Sequence, residues 1–188
     1  MTAAPPIVAR RSRAVAIVAA LSASICAPAA VAVDLVNPAP LVEAFRTTCL
    51  AGFPDVDAIA RRAIAAGWVE RKVTLIGKPG KGMSATNLPR FFEWRGLNMS
   101  LMRAGQGILV TSCQVSSPSA ASLDTATLAA SAGAALGLGE PTRTTRRGSD
   151  LAQWRRSPGQ MVQASADKQG GMRSANLLIR LEPEQTRP

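Results

Sequence analysis

Histidine and tyrosine are absent from this chain of 188 residues, and aromatic side chains make up only 4% of it. Histidine is the side chain that usually exchanges protons near neutral pH, and it is the commonest metal ligand. Its absence removes the usual general base of an enzyme. The sequence also has no Cys-x-x-Cys pair and no Gly-x-Ser-x-Gly nucleophile motif. We therefore expect neither a metal site nor a cofactor, and the common hydrolase classes are disfavoured.

Long apolar runs are lacking as well. The most apolar stretch near the start, residues 14–23, is too short to span a bilayer. It follows three arginines within residues 10–13 and precedes the small-residue sequence at 30–32. This order is typical of a secretory signal peptide with cleavage near Ala32. An uncleaved amphipathic anchor is the alternative.

Cleavage there leaves residues 33–188, which is the size of one ordinary domain. Its two ends, 33–40 and 182–188, are polar and contain prolines, so we expect them to be a flexible lead-in and tail. No later run is apolar enough to form a transmembrane segment. We therefore predict a periplasmic or secreted protein with a single domain.

Cysteine is scarce, and its distribution predicts a disulfide. Of three cysteines, Cys26 lies in the signal segment, which leaves Cys49 and Cys113, 64 positions apart. In an oxidising compartment an isolated pair usually closes. A loop of this length stabilises a fold by about 4 kcal/mol in the chain-entropy model. We predict that Cys49 and Cys113 are bonded.

The run at 107–116 predicts the strand around which the fold is organised. It is rich in β-branched residues, with a glycine before it and a proline soon after it. Because side chains alternate in a strand, Cys113 shares one face with three neighbours. These are Leu109, Thr111 and Val115.

Two helices precede this strand. The first, at about 40–50, carries Leu41, Phe45 and Cys49 on one apolar stripe. The second begins after the N-cap Asp55, ends near Gly67 and includes Ile59 and Ile64 in its stripe. A disulfide requires Cβ atoms about 4 Å apart. We therefore expect both stripes to be buried on the Cys113 face.

The rest of the chain predicts further strands and one more helix. The helix begins at Ser117 or at Ser122 and ends at 137–139, before a basic loop at 140–150. Apolar runs predict strands at about 70–76, 91–95, 99–103, 151–156, 160–166 and 173–181. The predicted class is α+β: an antiparallel meander sheet of about six strands, with three helices mainly on one face and one disulfide.

An echo within the sequence suggests an internal repeat. Glu93-Trp94-Arg95 and Gln153-Trp154-Arg155 each precede a turn and then an apolar strand. The echo favours two α-β-β-β units within one sheet. Any two antiparallel meanders share this pattern, so coincidence is the alternative.

The Trp-Arg pair within each of these two segments is a candidate binding site. A tryptophan beside an arginine can stack on a sugar or pair with an anionic group. This hypothesis concerns Trp94 with Arg95, and Trp154 with Arg155. The alternative is a core tryptophan with its arginine on the opposite face, as strand alternation dictates.

The chain is strongly basic, with 22 Lys and Arg against 12 Asp and Glu and a net charge of +10. Loss of the three arginines within residues 1–32 lowers this net charge to +7. An acidic partner, such as an anionic cell-envelope component or an acidic protein, is one explanation. The arginine-rich composition of a genome rich in G and C is the other. Nucleic acid is not an expected partner, because the chain is exported and poor in aromatic residues for base stacking.

Two basic loops would make the contact with an acidic partner. One contains Lys78 and Lys81, and the other contains Arg143, Arg146 and Arg147. The leading functional hypothesis is therefore an exported, non-catalytic binding protein that uses these loops.

A hydrolase of envelope material is the alternative from another class. Glu93 lies within a predicted strand between two aromatic residues, whereas the other acids lie in caps, loops and the tail. Paired carboxylates are the usual machinery of glycoside hydrolysis. A deep pocket in which Glu93 faces a second acid would favour this alternative, and its absence would favour binding.

Overall fold

The computed structural model describes residues 37–72, 88–104, 110–120, 122–146, 148–157, 159–169 and 172–182. Several predictions concern other residues and so lie outside the described ones. They are the signal peptide, most of the lead-in, the loop with Lys78 and Lys81, Leu109, Arg147 and the tail from 183 onward.

The first two helices form as predicted. Helix α1, Ala39–Phe45, continues as a π-helical segment, Arg46–Leu50. In this segment the Thr48 hydroxyl donates to the Ala44 carbonyl (2.5 Å), a back-bond that competes with regular helical pairing. Helix α2, Val56–Ala65, begins where the Asp55 carboxylate accepts two backbone N–H bonds of 3.0 Å.

The third helix begins later than predicted. Helix α3 spans Thr125–Leu136, and its cap is Asp124, which accepts from the Thr127 backbone N–H at 2.6 Å. The predicted start at Ser117 is wrong, because Ser117 ends a strand and pairs with Ala175. The predicted end is confirmed: Gly137 follows the helix with a φ of 62°, a left-handed conformation that favours glycine.

Within the described residues, eight strands form one antiparallel sheet, whereas about six were predicted. They are β1 Val69–Arg71, β2 Arg90–Trp94, β3 Leu97–Met102, β4 Ser112–Ser117, β5 Thr142–Arg146, β6 Ser149–Ser157, β7 Gln160–Gln169 and β8 Met172–Leu181. Their order is β1-β2-β3-β4-β8-β7-β6-β5.

The sheet is therefore not one continuous meander. Each half of the chain contributes helical structure followed by four consecutive strands, and the halves meet through their last strands, β4 and β8. The predicted α-β-β-β units are corrected to four strands each. Trp94 lies in β2 and Trp154 in β6, the second strand of its half in both cases.

The segment predicted as a basic loop, 140–150, contains a strand that its sequence pattern does not predict. Residues 142–146 (Thr-Arg-Thr-Thr-Arg) form β5, which pairs with β6 along its whole length. Threonine favours extended backbone, but no apolar face marked this run as a strand. Because β5 ends the strand order, it is an edge strand.

The core lies between one face of the sheet and the helices. Helix α1 packs on β4 and β8, while α3 packs on β6 and β7 and also touches α1. Leu41, Phe45 and Ile59 are fully buried there, as predicted, together with Cys113 and Val115.

Ile64 is the exception to the predicted burial, because its side chain is 52% exposed. The buried stripe of α2 runs through Val56, Ile59, Ala60 and Ala63. The small Ala63 completes the contact with the core, so the next residue points outward.

Candidate functional site

The two predicted cysteines are joined by a disulfide inside the core. Cys49 lies in the π-helical segment, Cys113 lies in β4, and their Cα atoms are 5.5 Å apart. Both side chains are fully buried. The bond ties the first helix to the central strands of the sheet, and neither sulfur is free to act as a nucleophile.

Trp154 and Arg155 separate as strand alternation requires. Trp154 is buried beneath α3, and its indole N–H donates to the Gly139 carbonyl at 3.0 Å. Arg155 points to the opposite face and pairs with Glu182 at 3.2 Å. The two side chains therefore do not form a joint binding site.

Trp94 and Arg95 do come together, at the turn between β2 and β3. The guanidinium carbon of Arg95 lies 4.8 Å from the centre of the Trp94 ring. Trp94 also stacks on Trp68, with ring centres 5.7 Å apart. The Trp94 ring thus already has two partners within the protein, and a sugar that stacked on it would compete with Arg95.

Glu93 lies on the sheet face opposite the helices, in a groove of about 390 Å³. Its carboxylate forms an ion pair with Arg71 of the neighbouring strand. The other described residues that line the groove are uncharged: Phe91, Phe92, Asn98, Met99, Ser100, Gln114 and Ser116. The partner of Glu93 is therefore a cation and not the second acid that the hydrolase alternative requires.

The same face carries a row of five side chains across the middle of the sheet, and four of the five are polar. Strand pairing places Ser100, Gln114, Leu178, Gln163 and Gln153 side by side on five successive strands. The Gln153 amide donates to the Gln163 side chain at 3.2 Å. Each helix that the structure describes packs on the other face, so the described elements leave this row uncovered.

Most acidic side chains in the first half of the chain neutralise an arginine. Arg103 bonds Asp57 at 2.5 Å, and Arg90 bonds Glu70 at 2.6 Å. The hydrogen bond from Arg103 lowers the pKa of Asp57, and the bond from Arg90 lowers the pKa of Glu70. Arg46 pairs in the same way with Glu43 at 2.7 Å.

The arginines of β5 have no such partner among the described residues. All five residues of this edge strand are exposed. Arg143 and Arg146 are three positions apart, so alternation puts their side chains on opposite faces of the sheet. The sequence grouped them as one basic loop with Arg147, but the described pair does not form a single patch.

Arg143 lies near a second groove, of about 480 Å³, beside the start of α3. Asp124 and Asp150 also line it. Hydrogen bonds from Thr127 are the main reason that the pKa of Asp124 is lowered, and the charge of Arg143 adds to the effect. Asp150 accepts from the Thr145 hydroxyl at 2.9 Å. Both acids of this groove therefore have structural roles.

The sequence contains one Ser-x-x-Lys pattern, which in some enzymes provides a serine nucleophile and its base. Ser165 and Lys168 have the Ser-x-x-Lys spacing of a class of serine enzymes. Both residues belong to β7. Ser165 is buried, so its hydroxyl is not displayed as a surface nucleophile.

Comparisons with known proteins add no assignment. No protein-family model, characterised protein or solved structure matches the chain. Within the described ranges, no helix is long and apolar enough to cross a membrane. The same ranges contain no cluster of three or more His, Cys, Asp or Glu side chains placed to hold a metal ion.

Proposed function

We propose that this chain is an exported binding protein that recognises an acidic cell-envelope component or an acidic protein through the arginines of β5. The observation that carries the proposal is the contrast in charge pairing. Four arginines of the first half, Arg46, Arg71, Arg90 and Arg103, have carboxylate partners. Arg143 and Arg146 are exposed on an edge strand, and neither forms an ion pair with a carboxylate in the described part of the chain, although Arg143 lies close enough to Asp124 to lower its pKa.

Unpaired guanidinium groups at an edge are suited to a partner molecule. An arginine that is already bonded to a carboxylate contributes little to an outside ligand, because the ligand must displace the internal bond. An unpaired one keeps its five donors for a carboxylate or phosphate. Arg61 and Arg62 on the solvent side of α2 are also exposed, but they lie on a different element from the β5 edge.

Export is the second part of the proposal, and the disulfide supports it. Bonds between buried cysteines are typical of oxidising compartments outside the cytosol. The signal-like sequence of residues 1–32 supports the same location, which is the periplasm or the cell exterior.

A binding assay with charge-matched variants tests this function. The mature protein is immobilised and exposed to envelope extract from the cells that produce it. We expect the double variant Arg143→Gln, Arg146→Gln to retain several-fold less material than the wild type, and added salt to weaken wild-type retention. Protease treatment of the extract distinguishes the two kinds of ligand, because it abolishes retention of an acidic protein and leaves retention of an anionic polymer unchanged.

The matched control is the double variant Arg61→Gln, Arg62→Gln, which removes the same charge from α2. We expect it to retain as much material as the wild type. Equal losses in the two double variants would contradict the proposal, because net charge alone would then explain retention. Retention that is indifferent to salt and to both changes would contradict it as well.

A further inference from the structure

The outer edge of β5 is unpaired among the strands that the structure describes. On its inner side, all five residues pair with β6, from Thr142 with Gln153 to Arg146 with Ser149. On its outer side no described strand follows. An edge strand presents a row of unpaired backbone N–H and C=O groups, which is a template for another strand.

The placement of the two arginines indicates what kind of ligand would fit this edge. Arg143 and Arg146 project from opposite faces of one strand. A polymer lying along one face would meet only one of them. A strand added beside β5 alternates in the same way, so its side chains reach both faces.

We propose that the ligand of β5 is an extended acidic peptide segment, which adds to the sheet as a ninth strand. This inference rests on the proposed acidic partner and specifies its chemistry and binding mode. Residues directly opposite in neighbouring strands share a face. Carboxylates opposite Arg143 and Arg146 must therefore be three positions apart, in an Asp/Glu-x-x-Asp/Glu pattern. Backbone bonds supply the affinity and the two ion pairs supply the register.

A second copy of this chain does not meet these requirements. Pairing of two β5 strands would bring four arginines to one seam, and like charges across a ladder are destabilising. The other edge strand, β1, has three residues, and its only acid, Glu70, is already bonded to Arg90 at 2.6 Å. The charge of β5 is therefore complementary to an acidic partner and not to itself.

Synthetic peptides test the proposal on the mature protein. The probe is an eight-residue peptide of threonine and valine with two glutamates three positions apart, and its binding is measured by fluorescence anisotropy. Two further peptides carry the glutamates two positions apart, or carry N-methyl groups on alternate backbone nitrogens. Shifting the glutamates puts both on one face, so we expect affinity to fall about three- to fivefold, the value of one exposed ion pair. N-methylation removes backbone donors without changing charge, so we expect it to abolish binding.

A charge exchange supplies an independent arm. The double variant Arg143→Glu, Arg146→Glu should lose the glutamate peptide and bind the same peptide with lysines in place of glutamates. Equal binding of the N-methylated peptide would overturn strand addition, and equal binding of the shifted peptide would overturn the register. If no peptide binds while envelope material is still retained through Arg143 and Arg146, this inference fails and the proposed function stands. If retention does not depend on these arginines, the proposed function fails too.

Discussion

The two Trp-Arg pairs of this protein have similar sequence contexts but different surroundings. Trp154 lies in the middle of β6, so alternation alone separates it from Arg155. Trp94 is the last residue of β2, and the chain turns at Arg95 with a φ of 48°. The turn folds the guanidinium back over the indole ring. The sequence could predict the first arrangement, but the second depends on where the strand ends.

Burial at single positions leads to a prediction of stability. Phe45 is fully buried beside the disulfide, whereas Ile64 on α2 is half exposed. Phe45→Ala should lower the free energy of unfolding by about 3 kcal/mol or more, because it removes a large core side chain and leaves a cavity. Ile64→Ala should lower it by much less. Chemical denaturation of both variants measures the difference, and similar losses would show that the assigned faces of the two helices are wrong.

At the scale of elements, ends and edges were harder to predict than interiors. The sequence offered Ser117 and Ser122 as caps of α3, but Ser117 is committed to β4 and Asp124 takes the role. The strand β5 was missed because its sequence has no apolar alternation. The strand forms because β6 pairs with it along its whole length. Tertiary context therefore overrides the local sequence pattern.

The cap of α3 leads to a prediction that depends on pH. The carboxylate of Asp124 accepts bonds from Thr127, which lower its pKa in the folded state. A group with a lowered folded pKa stabilises the fold above its unfolded pKa, and this stabilisation is lost as the pH falls through the folded value. Asp124→Ala should therefore lower the free energy of unfolding at pH 7 by about 1 kcal/mol. The difference from the wild type should shrink as the solution is acidified.

Denaturation curves across the acid range test this dependence. Glu140→Ala changes an exposed acid that lies outside α3 and β5, and it is the control. A cost of Asp124→Ala that stays constant from neutral to acid pH would contradict a role for the ionised cap.

At the scale of the whole molecule, the sequence predicted the composition of the core better than the order of the sheet. The disulfide, the first two helices and the last three strands were correctly placed because their signals are local or rest on two isolated cysteines. The junction of β4 with β8 pairs Cys113 with Ile179. Such distant pairing leaves no local signal, so the arrangement of the two halves could not be predicted.

The candidate binding site could likewise be predicted only in part. Composition shows an excess of positive charge, and the sequence grouped Arg143 and Arg146 with Arg147 in one basic loop. It could not predict that they lie on opposite faces of an edge strand, because β5 itself was not recognised. That geometry changes the expected ligand from a general polyanion to an extended acidic segment.

Amide hydrogen exchange in β5 tests most directly whether this strand is the binding edge. In the mature protein alone, amides on the open side of Thr142–Arg146 should exchange rapidly, because no described strand pairs with them. Saturation with the peptide that carries glutamates three positions apart should slow exchange in β5 and leave the opposite edge, β1, unchanged. Bound peptide with no slowing in β5, or with slowing confined to another part of the protein, would contradict the claim that β5 is the binding edge.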